Sequence, residues 1–376
     1  MIAFQYRLYP TPPQERQLLK MLDACRFVFN WGLEQRKLAW EQNKKTLNYN
    51  VQQNMLPVLK TEHSWLKNVY SHLLQDALMR LDRAFKAFFR RVKAGQKPGY
   101  PRFKGRDFYD SITFPACGTG GAFLEKKRLR LNRIGRVRIR LHRPLEGKVK
   151  TCTVKRKADG WYASFACEIE RNIKPSVVVN PIGVDLGLKE YAVLSSGEKI
   201  ANPRHLRKAE KRIKTAQRLV SRKKRGSKRR GKARAILAKK WLRLSRARKD
   251  WQFKLAHDLV RRFNPVFVED LEVKKLQEKP GKGKQARGLR RSVADVAWGQ
   301  FLGILEHKAE QAGVRVVRVP PRGTTQECSR CHRVVPKTLK DRTHRCLHCG
   351  LVLDRDINAA INILDRGRAG PSGRVA

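Results

Sequence analysis

Two short motifs, Cys328-x2-Cys331 and Cys346-x2-Cys349, constrain this chain more than any other feature. Each pair can bend into a knuckle that brings two thiolates together, and two knuckles 14 residues apart complete a tetrahedral four-sulfur site. No thioredoxin-like βαβ pattern surrounds the pairs, which argues against a redox role. The spacing predicts one structural Zn²⁺ held by Cys328, Cys331, Cys346 and Cys349. Four thiolates satisfy that ion, so His332, His344 and His348 read as bystanders or nucleic-acid contacts. A closed site of this kind supplies no catalytic metal. The remaining cysteines, Cys25, Cys117, Cys152 and Cys167, are scattered and read as small buried hydrophobes in a reducing compartment.

Charge is the second constraint. The chain carries 85 Lys and Arg against 32 Asp and Glu, a formal net charge of +53. A compact protein with that imbalance repels itself unless a polyanion neutralises it. Basic residues run the whole length, so a large nucleic-acid contact surface fits better than a single basic tail. No apolar stretch approaches the roughly 18 residues that span a membrane. The opening residues Met1 to Arg7 lack the apolar core of a secretion signal. These features predict a cytoplasmic protein of about two to three domains with no membrane partner.

The periodicity of the chain then divides it. Residues 1–8 alternate as a strand and are stopped by Pro10 and Pro12-Pro13. Residues 13–94 carry apolar positions at helical spacing (Leu18, Leu22, Cys25, Phe29, Leu33, then Leu78, Leu81, Phe85), predicting a small helical bundle. A turn-rich break at 95–101 leads into short alternating segments up to residue 169, which predict a small β-barrel or sandwich. In the run Val137-Arg138-Ile139-Arg140-Leu141 one face would be core, the other either phosphate-contacting or merely solvated. A third region from about residue 180 opens with two paired strands, 182–188 and 191–195. A very basic helical stretch follows at 204–262, predicted to be broken by Gly226 and Gly231 into an antiparallel hairpin. Next come a strand at 265–269, a flexible Lys/Gly-rich loop at 281–288, a helix at 297–311, a strand at 314–319, the cysteine motifs and a last helix from about Asp356.

Three acids interrupt core segments in that third region. Asp185 sits in an apolar strand between Gly183 and Gly187, where a charge is costly unless paired or bound to metal. The glycines would let a phosphate or metal approach the backbone. Glu269 ends the strand Val266-Phe267-Val268, while Asp270 points to the other face. On a helical wheel Asp356 falls inside the apolar arc of Ile357, Ala359, Ala360, Ile361, Ile363 and Leu364, with Asn358 and Asn362 outside it. Asp354 is better placed as an N-cap. Any one of these acids alone is more simply an ion-pair partner for Arg. Three together can hold two Mg²⁺ and support hydrolysis of a phosphodiester by in-line displacement.

The motifs Gly183-Val184-Asp185-Leu186-Gly187, Glu269-Asp270-Leu271, the paired CxxC and Asp354-Arg355-Asp356-Ile357-Asn358-Ala359-Ala360 together resemble the TnpB family of transposon-encoded, RNA-guided nucleases. The resemblance extends to Tyr6-Arg7-Leu8-Tyr9-Pro10-Thr11-Pro12, Gly99-Tyr100-Pro101-Arg102-Phe103-Lys104 and Asn202-Pro203-Arg204, and so covers nearly the whole chain. It departs at His332, where a glycine would be usual. The resemblance implies a multidomain α/β protein. A wedge β-barrel of oligonucleotide-binding type would take residues 1–10 and 96–178, and a helical recognition domain 11–95. An RNase H-like RuvC nuclease domain would take 179–323 and 353–368, with an inserted zinc ribbon at 324–352 and a disordered tail at 369–376. It also implies a guide RNA from the transposon end and cleavage of target double-stranded DNA beside a transposon-associated motif, by a monomer with its RNA.

The basic hairpin is then a candidate RNA or heteroduplex contact through Arg207, Arg212, Arg218, Arg222, Arg229 and Arg230. Two other readings stand beside guided cleavage: an RNA-guided repressor that binds without cutting, and a guide-independent, structure-selective resolvase. The presence of all three acids disfavours the first.

Overall fold

The computed structural model describes residues 1–115, 117–118, 120–170, 177–273, 283–338 and 341–370. The chain divides into two units, residues 1–171 and 172–376.

The first unit begins with β1 (Ile2–Tyr9) and the long helix α1 (Pro12–Asn43). Pro12 and Pro13 occupy the first helical positions, where a missing N–H costs nothing, and the Thr11 N–H donates to the Gln14 side chain at 3.0 Å. Helices α2 (Tyr49–Asn54), α3 (Leu56–Glu62) and α4 (Ser71–Lys93) follow. Six further strands, β2 (Ser111–Phe114), β3 (Ala122–Glu125), β4 (Arg128–Leu131), β5 (Gly135–Arg140), β6 (Lys148–Lys157) and β7 (Gly160–Glu168), join β1 in one antiparallel sheet. Its order is β2-β6-β7-β1-β5-β4-β3. That order leaves β2 and β3 at the two edges, so the sheet is an open half-barrel where the strand spacing predicts a small β-barrel or sandwich. Strand alternation turns Phe4, Tyr6, Leu8, Val137, Ile139, Trp161 and Phe165 to one face, where they share a core with α1 and α4. The opposite face is basic. Across β1, β5 and β4, Arg7 lies opposite Arg140, Arg138 opposite Arg128, and Arg136 opposite Arg130. Directly opposed like charges destabilise a sheet. Two of these arginines are relieved by acids, Arg7 by Asp159 and Arg136 by Glu125.

The second unit is built on a five-stranded sheet of order β10-β9-β8-β11-β12. Strands β8 (Ile182–Leu186), β9 (Glu190–Leu194) and β10 (Lys199–Ala201) are antiparallel, and β11 (Val266–Glu269) and β12 (Val316–Val319) add in parallel beside β8. Helices α5 (His205–Ser221) and α6 (Lys228–Arg262) form the basic hairpin, with α7 (Lys284–Val296) and α8 (Trp298–Ala312) between β11 and β12. A short ribbon of β13 (Thr343–Arg345) and β14 (Val352–Asp354) carries the cysteine motifs into α9 (Arg355–Ala369).

Period-two alternation decides which face each residue takes. Ile182, Val184, Leu186, Val266 and Val268 pack in one core with Ala256 and Leu259 of α6 and Phe301 and Leu305 of α8. Phe267 and Val319 face the other way and pack against Ile363 of α9. Asp185 and Glu269 share the parity of Gly183 and Phe267, so they also lie on the α9 face.

Three local expectations change. The hairpin turn lies at 222–227 with Gly226 at φ +84°, while Gly231 is inside the first turn of α6 and breaks nothing. The expected flexible loop at 281–288 is helical from Lys284 onward, and its first two residues lie outside the described ones. Of the disordered tail expected at 369–376, Ala369 is instead the last residue of α9, and residues 371–376 lie outside the described ones. Among the described residues no helix is long and apolar enough to cross a membrane.

Candidate active site and four-cysteine cluster

Strand β8 places Asp185 two residues after Gly183, where helix α9 presses on the sheet. A Cβ on Gly183 would stand 2.0 Å from the Ala360 carbonyl oxygen and 2.7 Å from the Leu364 nitrogen. The glycine before Asp185 therefore admits a helix, not the phosphate or metal expected from the sequence. That approach brings the first turn of α9, with Asp356, beside Asp185. Both acids line one cleft of about 510 Å³, together with Trp298, Lys337, Arg342 and Arg355. On the neighbouring strand Val268 pairs with Val184, so Glu269 follows one step later beside Asp185 on the same face.

The electrostatics of the three acids follow from this crowding. Burial, then the charges of Glu269 and Asp356, push the Asp185 carboxyl up to about 8. Burial also raises Glu269, against the lowering effects of the Thr324 hydroxyl and Arg366. Thr324 Oγ1 donates to Glu269 Oε1 at 2.5 Å. Arg355 Nε donates to Asp356 Oδ1 at 3.0 Å, and Arg342 stands 3.8 Å from the other oxygen. The two neighbouring acids have other partners. Asp354 caps α9 by accepting from the Asp356 N–H at 2.8 Å and pairs with Lys199, and Asp270 pairs with Arg318 at 3.1 Å.

Asn358 and Asn362 meet a partner surface that the helical wheel does not show. They lie outside the sheet-facing arc, yet both are fully buried. A second surface covers them: the segment leading into the first cysteine knuckle. Asn358 Nδ2 donates to the Glu327 carbonyl at 2.8 Å and its Oδ1 accepts from the Ser329 N–H at 3.0 Å. Asn362 Nδ2 donates to the carbonyls of Thr324 at 2.8 Å and Glu327 at 2.7 Å. Two asparagines four positions apart on a mostly apolar helix are the signal in the sequence for this second surface.

The four cysteine sulfurs lie within 4.8 Å of one another. Cys328 and Cys349 are 3.6 Å apart and Cys331 and Cys346 3.5 Å. These separations far exceed a disulfide bond of about 2.0 Å. They approach the roughly 3.8 Å edge of a tetrahedron with arms of about 2.3 Å, so the donor set fits a zinc ion. Burial would raise the Cys346 thiol, but the N–H groups of Cys349 and His348 and the other sulfurs bring it down to about 6. His332 adopts φ +58°, the conformation that Gly350 supplies at φ +72° after the second knuckle. The unusual residue thus keeps the usual turn. His344 is buried against Lys337 rather than available to a ligand.

On the basic hairpin Arg207, Arg212, Arg218, Arg222 and Arg229 are exposed. Arg230 instead donates to the Lys223 carbonyl at 3.0 Å and closes the turn. Between α5 and α6 runs a groove of about 240 Å³ whose floor is Ile213 and Leu244 and whose walls are Lys208, Arg212, Lys240 and Arg243. Three of these cations were missed in the sequence, although Lys208 with Arg212 and Lys240 with Arg243 have helical spacing.

Comparison with known proteins places the chain in a family. Three family descriptions match: "Helix-turn-helix domain" over residues 1–45, "Probable transposase" of IS605 OrfB over 164–279, and "Cas12f1-like, TNB domain" over 298–363. Residues 12–43 are nevertheless one continuous helix. A Streptomyces pristinaespiralis protein named "Putative RNA-guided DNA endonuclease" is 36% identical, over 98% of this chain and 89% of its own. InsQ of Escherichia coli strain K12, described in the same words, is 31% identical over 98% and 92%. The chain belongs to the TnpB family of IS605-type OrfB proteins. A solved Cas12f1–sgRNA–target DNA complex is similar at 17% identity and a TM-score of 0.38, over 98% of this chain and all of that one.

Proposed function

We propose that this protein is an RNA-guided DNA endonuclease that hydrolyses target double-stranded DNA at the site formed by Asp185, Glu269 and Asp356. The observation that carries this reading is the placement of Asp185, Glu269 and Asp356 together on one face of the sheet, where burial and then the neighbouring carboxylates push Asp185 up to about 8. Such a cluster holds its charge only when hard cations share it. The relatives named as RNA-guided DNA endonucleases span nearly the whole chain and support the same function.

In this reading the second unit's sheet with α9 is a RuvC nuclease domain of RNase H-like type, residues 179–323 and 353–368. The zinc ribbon is 324–352, residues 11–95 are the recognition domain, and residues 1–10 with 96–178 are the wedge. Two Mg²⁺, when bound, would polarise an attacking water and neutralise the leaving oxygen. The three acids supply the oxygen ligands, and Arg355 holds Asp356 by its Oδ1. Zn²⁺ in the four-cysteine cluster is structural. Guide pairing reads the DNA sequence, while the protein tracks phosphates. The opposed arginines of the half-barrel and the cationic groove between α5 and α6 suit that task, because bound phosphates relieve repulsion that the sheet and hairpin otherwise carry.

The test uses protein co-purified with RNA from its own locus, incubated with matching duplex DNA. Cleavage that requires Mg²⁺ and is lost in Asp185→Ala, with DNA binding retained, is the expected result. Guided binding without nicking in any divalent metal would favour the repressor. Junction cutting by RNA-free protein would favour the resolvase.

A further inference from the structure

Thr324 lies outside the three-acid motif, yet its hydroxyl bonds one of the three directly. Its side chain is 1% exposed, and its hydroxyl donates to Glu269 Oε1 at 2.5 Å. Thr324 Oγ1 also stands 3.2 Å from the Pro321 carbonyl oxygen. A hydroxyl has one proton, and the shorter, charge-assisted bond to the carboxylate claims it. Glu269 thereby has one oxygen committed, and among the described residues no hydrogen bond occupies the other.

What holds Thr324 is a stripe on α9. Asn358, Asn362 and Arg366 recur every four residues and so project from one side of the helix. Asn362 binds the Thr324 carbonyl, and both asparagines bind the Glu327 carbonyl. Arg366 donates to the Arg322 carbonyl at 2.7 Å and pairs with the Glu327 carboxylate at 2.6 Å. Cys328, the first ligand of the cysteine cluster, is the next residue. One short segment, 320–329, therefore joins the cluster to Glu269 while gripping the helix that carries Asp356.

We propose that Thr324 is the positioning residue for Glu269, locked by the Asn358–Asn362–Arg366 stripe beside the first cysteine knuckle. The inference rests on the reading of Asp185, Glu269 and Asp356 as the metal-holding acids. Outer partners of metal ligands typically change affinity or activity about 10- to 100-fold when removed.

The experiment compares wild type, Thr324→Val, Thr324→Ser and Asp185→Ala as full-length protein with its guide RNA. Two quantities are read against Mg²⁺ concentration: the guided cleavage rate, and the rise in Tm without DNA. Thr324→Val keeps the shape and loses the hydroxyl. It is expected to need about 10-fold or more Mg²⁺ for half of each response, with target binding unchanged. Thr324→Ser restores the hydroxyl and should return both curves to within about 3-fold of wild type. A Thr324→Val protein with wild-type Mg²⁺ curves overturns the proposal. If Thr324→Val does not fold, Asn362→Ser releases the Thr324 backbone without touching its side chain. A raised Mg²⁺ requirement in that variant supports the proposal and an unchanged one overturns it. Failure of the underlying reading looks different: Asp185→Ala would then match wild type in both curves.

Discussion

Replacing Asp185 with asparagine should make the metal-free protein more stable while destroying cleavage. The carboxyl stands at about 8 instead of 3.8 because of burial and its neighbours Glu269 and Asp356. A raised acid binds its proton more tightly in the folded state, so stability is intact below about pH 4 and falls as pH rises through about 8. At about 1.4 kcal/mol per pH unit, the cost at pH 7 is about 4 kcal/mol. Asp185 lines an open cleft, and water reaching it reduces the realisable gain to about 1–3 kcal/mol. For a unit of this size that is a Tm increase of roughly 3–10 °C. The assay is thermal unfolding of wild type and Asp185→Asn across pH 4 to 9, in EDTA and then in Mg²⁺. The gap in EDTA should open with pH and be absent at pH 4. Mg²⁺ should stabilise the wild type and leave Asp185→Asn nearly unmoved. A variant less stable than wild type at pH 8 in EDTA would refute the argument, because it would mean that the carboxylate is satisfied rather than repelled.

Three further outcomes follow from the same geometry. Gly183→Ala should cost about 3 kcal/mol or more in thermal unfolding, because its Cβ would sit 2.0 Å from the Ala360 oxygen and force α9 off the sheet; a near-neutral change would show that the helix can yield. Cys346→Ser, or a strong zinc chelator, should strip one equivalent of zinc and loosen residues 320–350 to hydrogen exchange, whereas unchanged zinc content by elemental analysis would exclude the four-thiolate site. Lys208→Glu with Lys240→Glu should weaken RNA binding and flatten its log-affinity against log-salt slope by about 2, and an unaltered slope would make the groove a solvated face.

Much of the site was legible in the sequence because its signals are local. Apolar runs interrupted by one acid mark Asp185 and Glu269 as strand residues, and strand parity sets their face once a partner strand exists. Asp354 could be recognised as a cap from its place before a helix. Harder to read was any feature whose cause is a second surface. Asn358 and Asn362 occupy a polar edge by helical wheel and are buried because the knuckle segment folds over them. Gly231 has the composition of a breaker but sits where a first helical turn tolerates it. Arg230 reads like its exposed neighbours, yet its guanidinium closes a backbone turn.

Four thiols at knuckle spacing, three acids set into apolar segments and a net charge of +53 are legible in the residue order alone. Residue type and short-range periodicity are enough for that, since each constraint acts within a few residues. The tertiary structure decided which groups meet. It used Gly183 to bring α9 against β8, turned Asp185 and Glu269 toward Asp356, and tied Thr324 to Glu269 across 55 residues. Those contacts depend on strand order and on the close approach of backbones, and neither is written in any local pattern.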